Sequence, residues 1–172
     1  LKSHYTDYLE MRLKALQGKA EIIRGDIRHK SHLLRTFNAH KPEKVMHLAA
    51  LPISTLSNKF SEDAMEVNMY GTINVLETLR ECRFTRHFVF ASSSMVYGNF
   101  QKEEADEEHP TLPIDVYGGT KLAGEIMTKV FSKQYGIDYT IIRPSAVYGP
   151  TDANMRVSQI FLENALKGKP IT

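Results

Sequence analysis

A phenol and an ammonium stand four residues apart in Tyr117-Gly118-Gly119-Thr120-Lys121. If this run opens a helix, the two side chains project from one face, roughly 6 Å apart at Cβ. Free tyrosine ionises near pH 10, and a neighbouring ammonium and a helix N-terminus both favour the phenolate, which would bring the group toward neutral pH. A tyrosine so placed could act as a base on an alcohol. Two consecutive glycines in a first helical turn cost roughly 1 kcal/mol each relative to alanine, so something is expected to approach that turn closely. Taken alone, a Tyr and Lys four apart are as often a plain surface pair. Ser92-Ser93-Ser94 follows an apolar run and could offer a hydroxyl that shares a substrate proton. The plain alternative is a serine run that satisfies loop backbone or caps the next element.

These groups need elements to position them. Glu21-Ile22-Ile23-Arg24, Val45-Met46-His47-Leu48-Ala49-Ala50, Phe88-Val89-Phe90-Ala91 and Tyr139-Thr140-Ile141-Ile142-Arg143 read as four short strands. The second is largely apolar and is expected to be buried on both faces. Between them, a helix is expected from Ser31, as N-cap, to His40, with Pro42 preventing continuation. A long helix from about Glu62 to Arg83 should present Met65, Met69, Ile73, Leu76 and Leu79 on one side. A third is marked by Leu122, Ile126, Val130 and Phe131 and closed by Gly136 at C′. Alternation at this spacing predicts right-handed crossovers and a doubly wound parallel α/β sheet. In such sheets ligands bind beyond the carboxyl ends of the strands. Those ends lead into Gly25-Asp26, Ala49-Ala50-Leu51, Ser92-Ser93-Ser94 and Pro144-Ser145.

Composition narrows the function classes. The 172 residues fit one ordinary domain, and 42% hydrophobic with 24% charged residues is the balance of a globular protein. A net charge of +2 from scattered basic residues argues for neither a nucleic-acid footprint nor a membrane-binding face. No apolar run approaches a membrane span, the single Cys82 cannot form an internal disulfide, and a reducing cytoplasm fits best. No metal site is expected. Leu1 is not a start methionine, and Leu1 to Leu16 reads like a helix entered midway, so sequence is expected upstream.

Taken in order, Val45 to Ala50, Asn68-Met69-Tyr70-Gly71-Thr72-Ile73-Asn74-Val75-Leu76-Glu77, Ala91-Ser92-Ser93-Ser94-Met95-Val96-Tyr97-Gly98, His109-Pro110, Tyr117 to Glu125 and Ile142-Arg143-Pro144-Ser145-Ala146-Val147-Tyr148-Gly149-Pro150 resemble the extended short-chain dehydrogenase/reductase family. The resemblance runs from Glu21 to Thr172. It implies a Rossmann-like fold, NAD as cofactor with NADP left open, and a nucleotide-sugar substrate. It implies Tyr117 as acid/base, Lys121 as ribose ligand that lowers the Tyr117 pKa, and Ser93 as the assisting hydroxyl. Asp26 and Ile27 correspond to adenine contacts, and Ala49, Ala50 and Leu51 to the small-residue loop along the dinucleotide. Asn68 corresponds to the helix asparagine that supports the site, and Pro144 and Val147 to contacts near the nicotinamide. Ala91 and Ser92 are further expected cofactor contacts, and Ser93, Tyr117 and Ser145 expected substrate contacts. The resemblance also suggests a homodimer through the helices containing Asn68 and Tyr117.

The family's glycine-rich phosphate loop is absent from this sequence. The expected reading is a partial domain over 1–172 that lacks the first strand-helix-strand, roughly 40 to 50 residues, and the C-terminal substrate domain, with 151–172 entering the substrate region. Such a piece is expected to bind cofactor poorly. Dehydratases of this family carry an acidic residue immediately before Val-Tyr-Gly, where this sequence has Met95. The resemblance therefore implies a 4-epimerase working through a 4-keto intermediate. A 4,6-dehydratase or reductase of the same family is the alternative, and a non-catalytic scaffold the alternative from another class.

Overall fold

A computed structural model describes residues 4–52, 54–149 and 157–171. The chain divides into two compact units, Arg24–Ser145 and a smaller one composed of Leu1–Ile23 with Ala146–Thr172. The larger unit holds a three-stranded parallel sheet of β1 (Lys44–His47), β2 (His87–Ala91) and β3 (Asp138–Ile142), in that order. Val45 pairs with Phe88 and Phe90 with Ile141. Its helices are α2 (Lys30–His40), α3 (Ser54–Lys59), α4 (Ser61–Ala64), α5 (Gly71–Cys82) and α6 (Val116–Tyr135). The smaller unit holds α1 (His4–Leu16) and α7 (Val157–Leu166), and none of α7 is buried. Each strand is joined to the next through a helix, so the architecture is the expected parallel α/β, Rossmann-like one.

Side-chain alternation along β2 decides where the core forms. Phe88 and Phe90 point one way and are almost fully buried against Val75, Leu76 and Leu79 of α5, Phe37 of α2, and Phe131 and Ile137 around the end of α6. Truncating either phenylalanine to alanine should cost roughly 3 to 5 kcal/mol. The residues of opposite parity, Met46 and Ile142, are exposed. Burial of the second strand on both faces is therefore not found. Helices α2, α5 and α6 pack on the Phe88/Phe90 face, and β1 ends at His47, before Leu48.

Three other sequence expectations are corrected. Glu21–Arg24 forms no strand, because a strand exists through its ladder and these residues join no sheet among the described residues. The second helix starts at Lys30 with His29 at its N-cap position and no side-chain cap, so Ser31 lies inside the first turn. The long helix is present, but its middle is a wide π turn, Met65–Tyr70, between α4 and α5. That turn shifts the phase of the helix face. Ala64, Asn68, Thr72, Val75 and Leu79 are buried, whereas Met65 is exposed and Met69 and Ile73 are half-buried.

Helix α6 reverses the usual amphipathic rule. It buries Thr120, Lys121, Glu125 and Thr128 and leaves Ile126 and Val130 exposed. Of its expected apolar markers only Phe131 is buried. Its ends follow from local chemistry: the Asp115 carboxylate accepts from the Gly118 N–H at the start, and Gly136 closes the end at φ 71°.

Candidate active site

Ser93 leaves the carboxyl end of β2 in extended conformation and caps the 3₁₀ turn Ser94–Tyr97, its Oγ accepting from the Met95 N–H at 3.2 Å. The hydroxyl also lies close enough to the Tyr117 phenol to favour its ionised form. The Lys121 ammonium lies 5.8 Å from the Tyr117 ring centroid and 5.3 Å from that of Phe90. It donates to the Ala91 carbonyl at 2.7 Å. The three expected catalytic side chains thus meet at one sheet edge, where β2 ends and α6 begins.

Gly118 explains half of the glycine pair. A Cβ there would stand 2.5 Å from the Met95 carbonyl oxygen, so the turn after Ser93 can reach the start of α6 only past a glycine. Gly119 faces open space. The close approach expected of that turn is therefore made by protein backbone, and at one of the two positions.

Ionisation at the site differs from the sequence expectation. Burial raises the Tyr117 pKa above the ordinary phenol value, the Ser93 hydroxyl pulls it back, and the Asp115 carboxylate raises it again. The lowering expected from Lys121 is absent because the phenolate would be partly desolvated and Lys121, itself brought down by burial, has released its proton before the phenol ionises. Burial brings Lys121 itself down to about 8.

Two buried hydrogen-bond chains hold these groups; of their members Asn68 was expected from the sequence in a supporting role, whereas Thr72, His47, Glu125 and Arg143 were given none. In the first, Asn68 accepts from the Leu51 N–H at 2.7 Å and donates to the Leu51 carbonyl and to Thr120 Oγ1, which donates to the Tyr117 carbonyl. Asn68 therefore ties the Ala49–Leu51 loop to the first turns of α6. Its own carbonyl accepts from Thr72, whose hydroxyl pairs with His47 Nε2 at 3.0 Å. Thr72 spends its proton on Asn68, so His47 must donate from Nε2. Burial, and then the Lys121 charge, push His47 down to about 4, which keeps the ring neutral.

In the second chain Ser92 donates to Glu125 at 2.5 Å, and Arg143 grips the same carboxylate at 2.9 and 2.7 Å. Arg143 also donates to the Tyr97 hydroxyl and stacks on its ring. The guanidinium and the Ser92 hydroxyl overcome burial and hold the Glu125 pKa below the ordinary carboxylate range. Ser92 is thereby set apart from Ser93: its hydroxyl is committed inward, leaving only backbone to face a ligand. The signal for Glu125 was its place one turn beyond Lys121, and for His47 a titratable side chain inside an apolar strand.

The remaining expected contacts divide. Ala49, Ala50 and Leu51 follow β1, Pro144 follows β3, and the Pro144 carbonyl accepts from the Ser94 N–H at 3.0 Å. Ser145 is exposed at the same sheet edge. Asp26 is held by the Arg28 guanidinium and backbone N–H, so both its oxygens are occupied and its pKa is well below the ordinary range. The Ile27 carbonyl accepts from Asn74 and its side chain packs against the core. Val147 belongs to the smaller unit and is exposed.

A parallel α/β sheet with a serine, a tyrosine and a lysine gathered at its carboxyl edge is the arrangement implied by the resemblance to the extended short-chain dehydrogenase/reductase family. The family model described as "NAD dependent epimerase/dehydratase family" matches residues 4–172, and the chain belongs to that family. A relative from Methanocaldococcus jannaschii, which carries a provisional UDP-glucose 4-epimerase name, is 37% identical over 158 residues, 90% of this chain and 51% of the relative. UDP-glucuronate 4-epimerase 1 of Arabidopsis thaliana is 33% identical over 152 residues, 88% of this chain and 35% of the relative. The structure of the Thermus thermophilus UDP-glucose 4-epimerase complex with NAD superposes with a TM-score of 0.83 at 29% identity, covering 97% of this chain and 60% of that one. The chain spans between about a third and a half of the length of these curated relatives.

Proposed function

We propose that the protein to which this chain belongs is an NAD-dependent nucleotide-sugar 4-epimerase. The observation that carries this reading is the convergence of Ser93, Tyr117 and Lys121, with the cation 5.8 Å from the phenol ring. The nicotinamide end of a dinucleotide fits the residues present. Lys121 spends one of its three protons on Ala91 and keeps two for a ribose, beside a loop of small residues, Ala49 and Ala50, that lets a ligand approach the backbone. When bound, NAD accepts a hydride from the sugar carbon and returns it to the opposite face.

The protein's own groups handle the proton. Tyr117 takes it from the C4 hydroxyl, Ser93 shares and orients that hydroxyl, and Lys121 holds the ribose. Because Tyr117 is raised without cofactor, the phenol is protonated at neutral pH until positive charge arrives beside it. Met95 stands where a dehydratase of this family would carry an acid, which favours epimerisation. A dehydratase reading has in its favour the human dTDP-D-glucose 4,6-dehydratase, 32% identical over 130 residues, 76% of this chain and 37% of that protein.

The chain itself is a partial dinucleotide-binding domain, with 151–172 leading toward the substrate region; residues 151–156 lie outside those described. A homodimer is supported by apolar side chains left exposed on the outer faces of the two helical segments, Met65 and Tyr70 on one, Ile126 and Val130 on the other. A cytoplasmic setting is supported by the single unpaired thiol of Cys82. The test is incubation of the full-length protein with UDP-glucose and UDP-glucuronate, followed by product analysis. The expected product is the C4 epimer, and a 4-keto-6-deoxy sugar would reject the assignment.

A further inference from the structure

The carboxylate of Asp115 stands at the junction of two parts of the site. One oxygen accepts from the Gly118 N–H at 2.7 Å, capping α6 two residues before Tyr117. The other accepts from the Ser54 hydroxyl at 2.6 Å. A second link runs alongside, the Val116 N–H donating to Asn58 Oδ1 at 3.1 Å. Both partners lie on α3, which follows closely on the loop that Asn68 fastens through Leu51. An N-cap requires only an oxygen, and serine or asparagine would serve as well. The carboxylate therefore adds two things that the cap does not need: a second acceptor turned to α3, and a negative charge beside an acid/base group.

We propose that Asp115 is a positioning residue that clasps the segment following the Ala49–Leu51 loop to the start of the helix bearing Tyr117 and sets a fixed negative charge two residues before that tyrosine. The proposal rests on reading Tyr117 as the base. Other charged groups on the elements around Tyr117 are Lys121, Glu125, Lys129 and Lys133 on its own helix, Lys59 on α3, Glu62 and Asp63 on α4, Glu66 in the π turn, Glu77, Arg80 and Glu81 on α5, Asp138 in β3 and Arg143 beyond it, with His47 of β1 facing Lys121. Among the carboxylates Asp115 is the one whose charge raises Tyr117. Glu125 is neutralised by Arg143, and Glu62, Asp63 and Glu66 are exposed to solvent. The consequence is a base held in its protonated form until cofactor supplies compensating positive charge, so that proton removal is coupled to a filled site.

Two variants separate the parts. Asp115→Asn keeps a cap oxygen and a partner for Ser54 but removes the charge, whereas Ser54→Ala keeps the charge and removes one link of the clasp. In the cofactor-free chain, the Tyr117 ring carbon followed by NMR should titrate lower in Asp115→Asn by roughly half a pH unit, about a threefold gain in phenolate at fixed pH, as expected for one nearby charge in a partly wet site. Ser54→Ala should not move it downward. In the full-length enzyme the acidic limb of kcat/KM should move the same way in Asp115→Asn. Ser54→Ala should lower kcat several-fold with the limb unmoved. A Tyr117 titration unchanged or raised in Asp115→Asn overturns the electrostatic part, and wild-type kcat and KM in Ser54→Ala overturn the clasp. The NMR titration needs no turnover, so an inactive full-length protein would count against the epimerase reading and leave the measured effect of Asp115 on Tyr117 standing.

Discussion

Replacing Lys121 by methionine should make this chain more stable at neutral pH even though it removes a group assigned to catalysis. The ammonium is buried, and burial brings its pKa from 10.5 to about 8. A depression of that size corresponds to about 3 kcal/mol of penalty on the charged form. Methionine matches the stem in length and leaves the Ala91 carbonyl without its donor, a loss of about 1 kcal/mol. The variant should therefore gain about 2 kcal/mol at pH 7, an order-of-magnitude figure. The sign with pH is fixed. Between about 8 and 10.5 the folded chain has released a proton that the unfolded chain still binds, so raising the pH through that window stabilises the wild type. The methionine variant lacks this term, and its advantage should shrink by about 3 kcal/mol across the same window. Urea unfolding of both proteins at pH 7, 9 and 10.5 measures the difference while other titrations cancel. An advantage that stays constant with pH, or a variant less stable throughout, would refute the reasoning.

Three further outcomes follow from the same geometry. Gly118→Ala should cost about 1 to 3 kcal/mol, because its Cβ meets a backbone oxygen at 2.5 Å, while Gly119→Ala, in open space, should gain about 0.5 to 1 kcal/mol of helix propensity; thermal melts of the pair distinguish them. Glu125→Gln should cost about 3 to 5 kcal/mol in chemical denaturation, since it leaves the Arg143 guanidinium without its buried counter-charge. His47 contributes on the acid side: its folded value of about 4 lies below the ordinary 6.5, so its stabilisation is complete above 6.5 and is lost as pH falls toward 4. That loss is worth about 3 kcal/mol, and urea midpoints measured down the acid range should fall less steeply in His47→Gln.

What the sequence disclosed was what periodicity and local chemistry carry. The strands of the sheet, the alternation with helices and the Gly136 stop follow from short-range patterns whose physics is local, while the grouping of Ser93 with Tyr117 and Lys121 came from the family resemblance. What it concealed depended on partners distant along the chain. Glu21–Arg24 has a strand's composition but no ladder partner. Met65, Met69 and Ile73 keep a helical spacing that a π turn rotates away from the core. Ile126 and Val130 look like core residues because their helix buries polar side chains to serve the site. Asp115, Glu125 and His47 were given no role by the sequence, even where they lie inside a recognised run, because their roles arise from Ser54, Arg143 and Thr72, each brought near only by the fold. The pKa of Tyr117 was misjudged for the same reason: its lysine neighbour is visible in sequence, whereas its desolvation is not.

The central claim is that hydride leaves C4 and returns to C4 while Tyr117 handles the proton. It is tested most directly by giving the full-length protein a UDP-hexose carrying deuterium at C4 and locating the label in the product. The account predicts the C4 epimer with deuterium retained at C4, and no product from Tyr117→Phe. Deuterium at C6 of a 4-keto-6-deoxy sugar, or turnover that survives Tyr117→Phe, would contradict it.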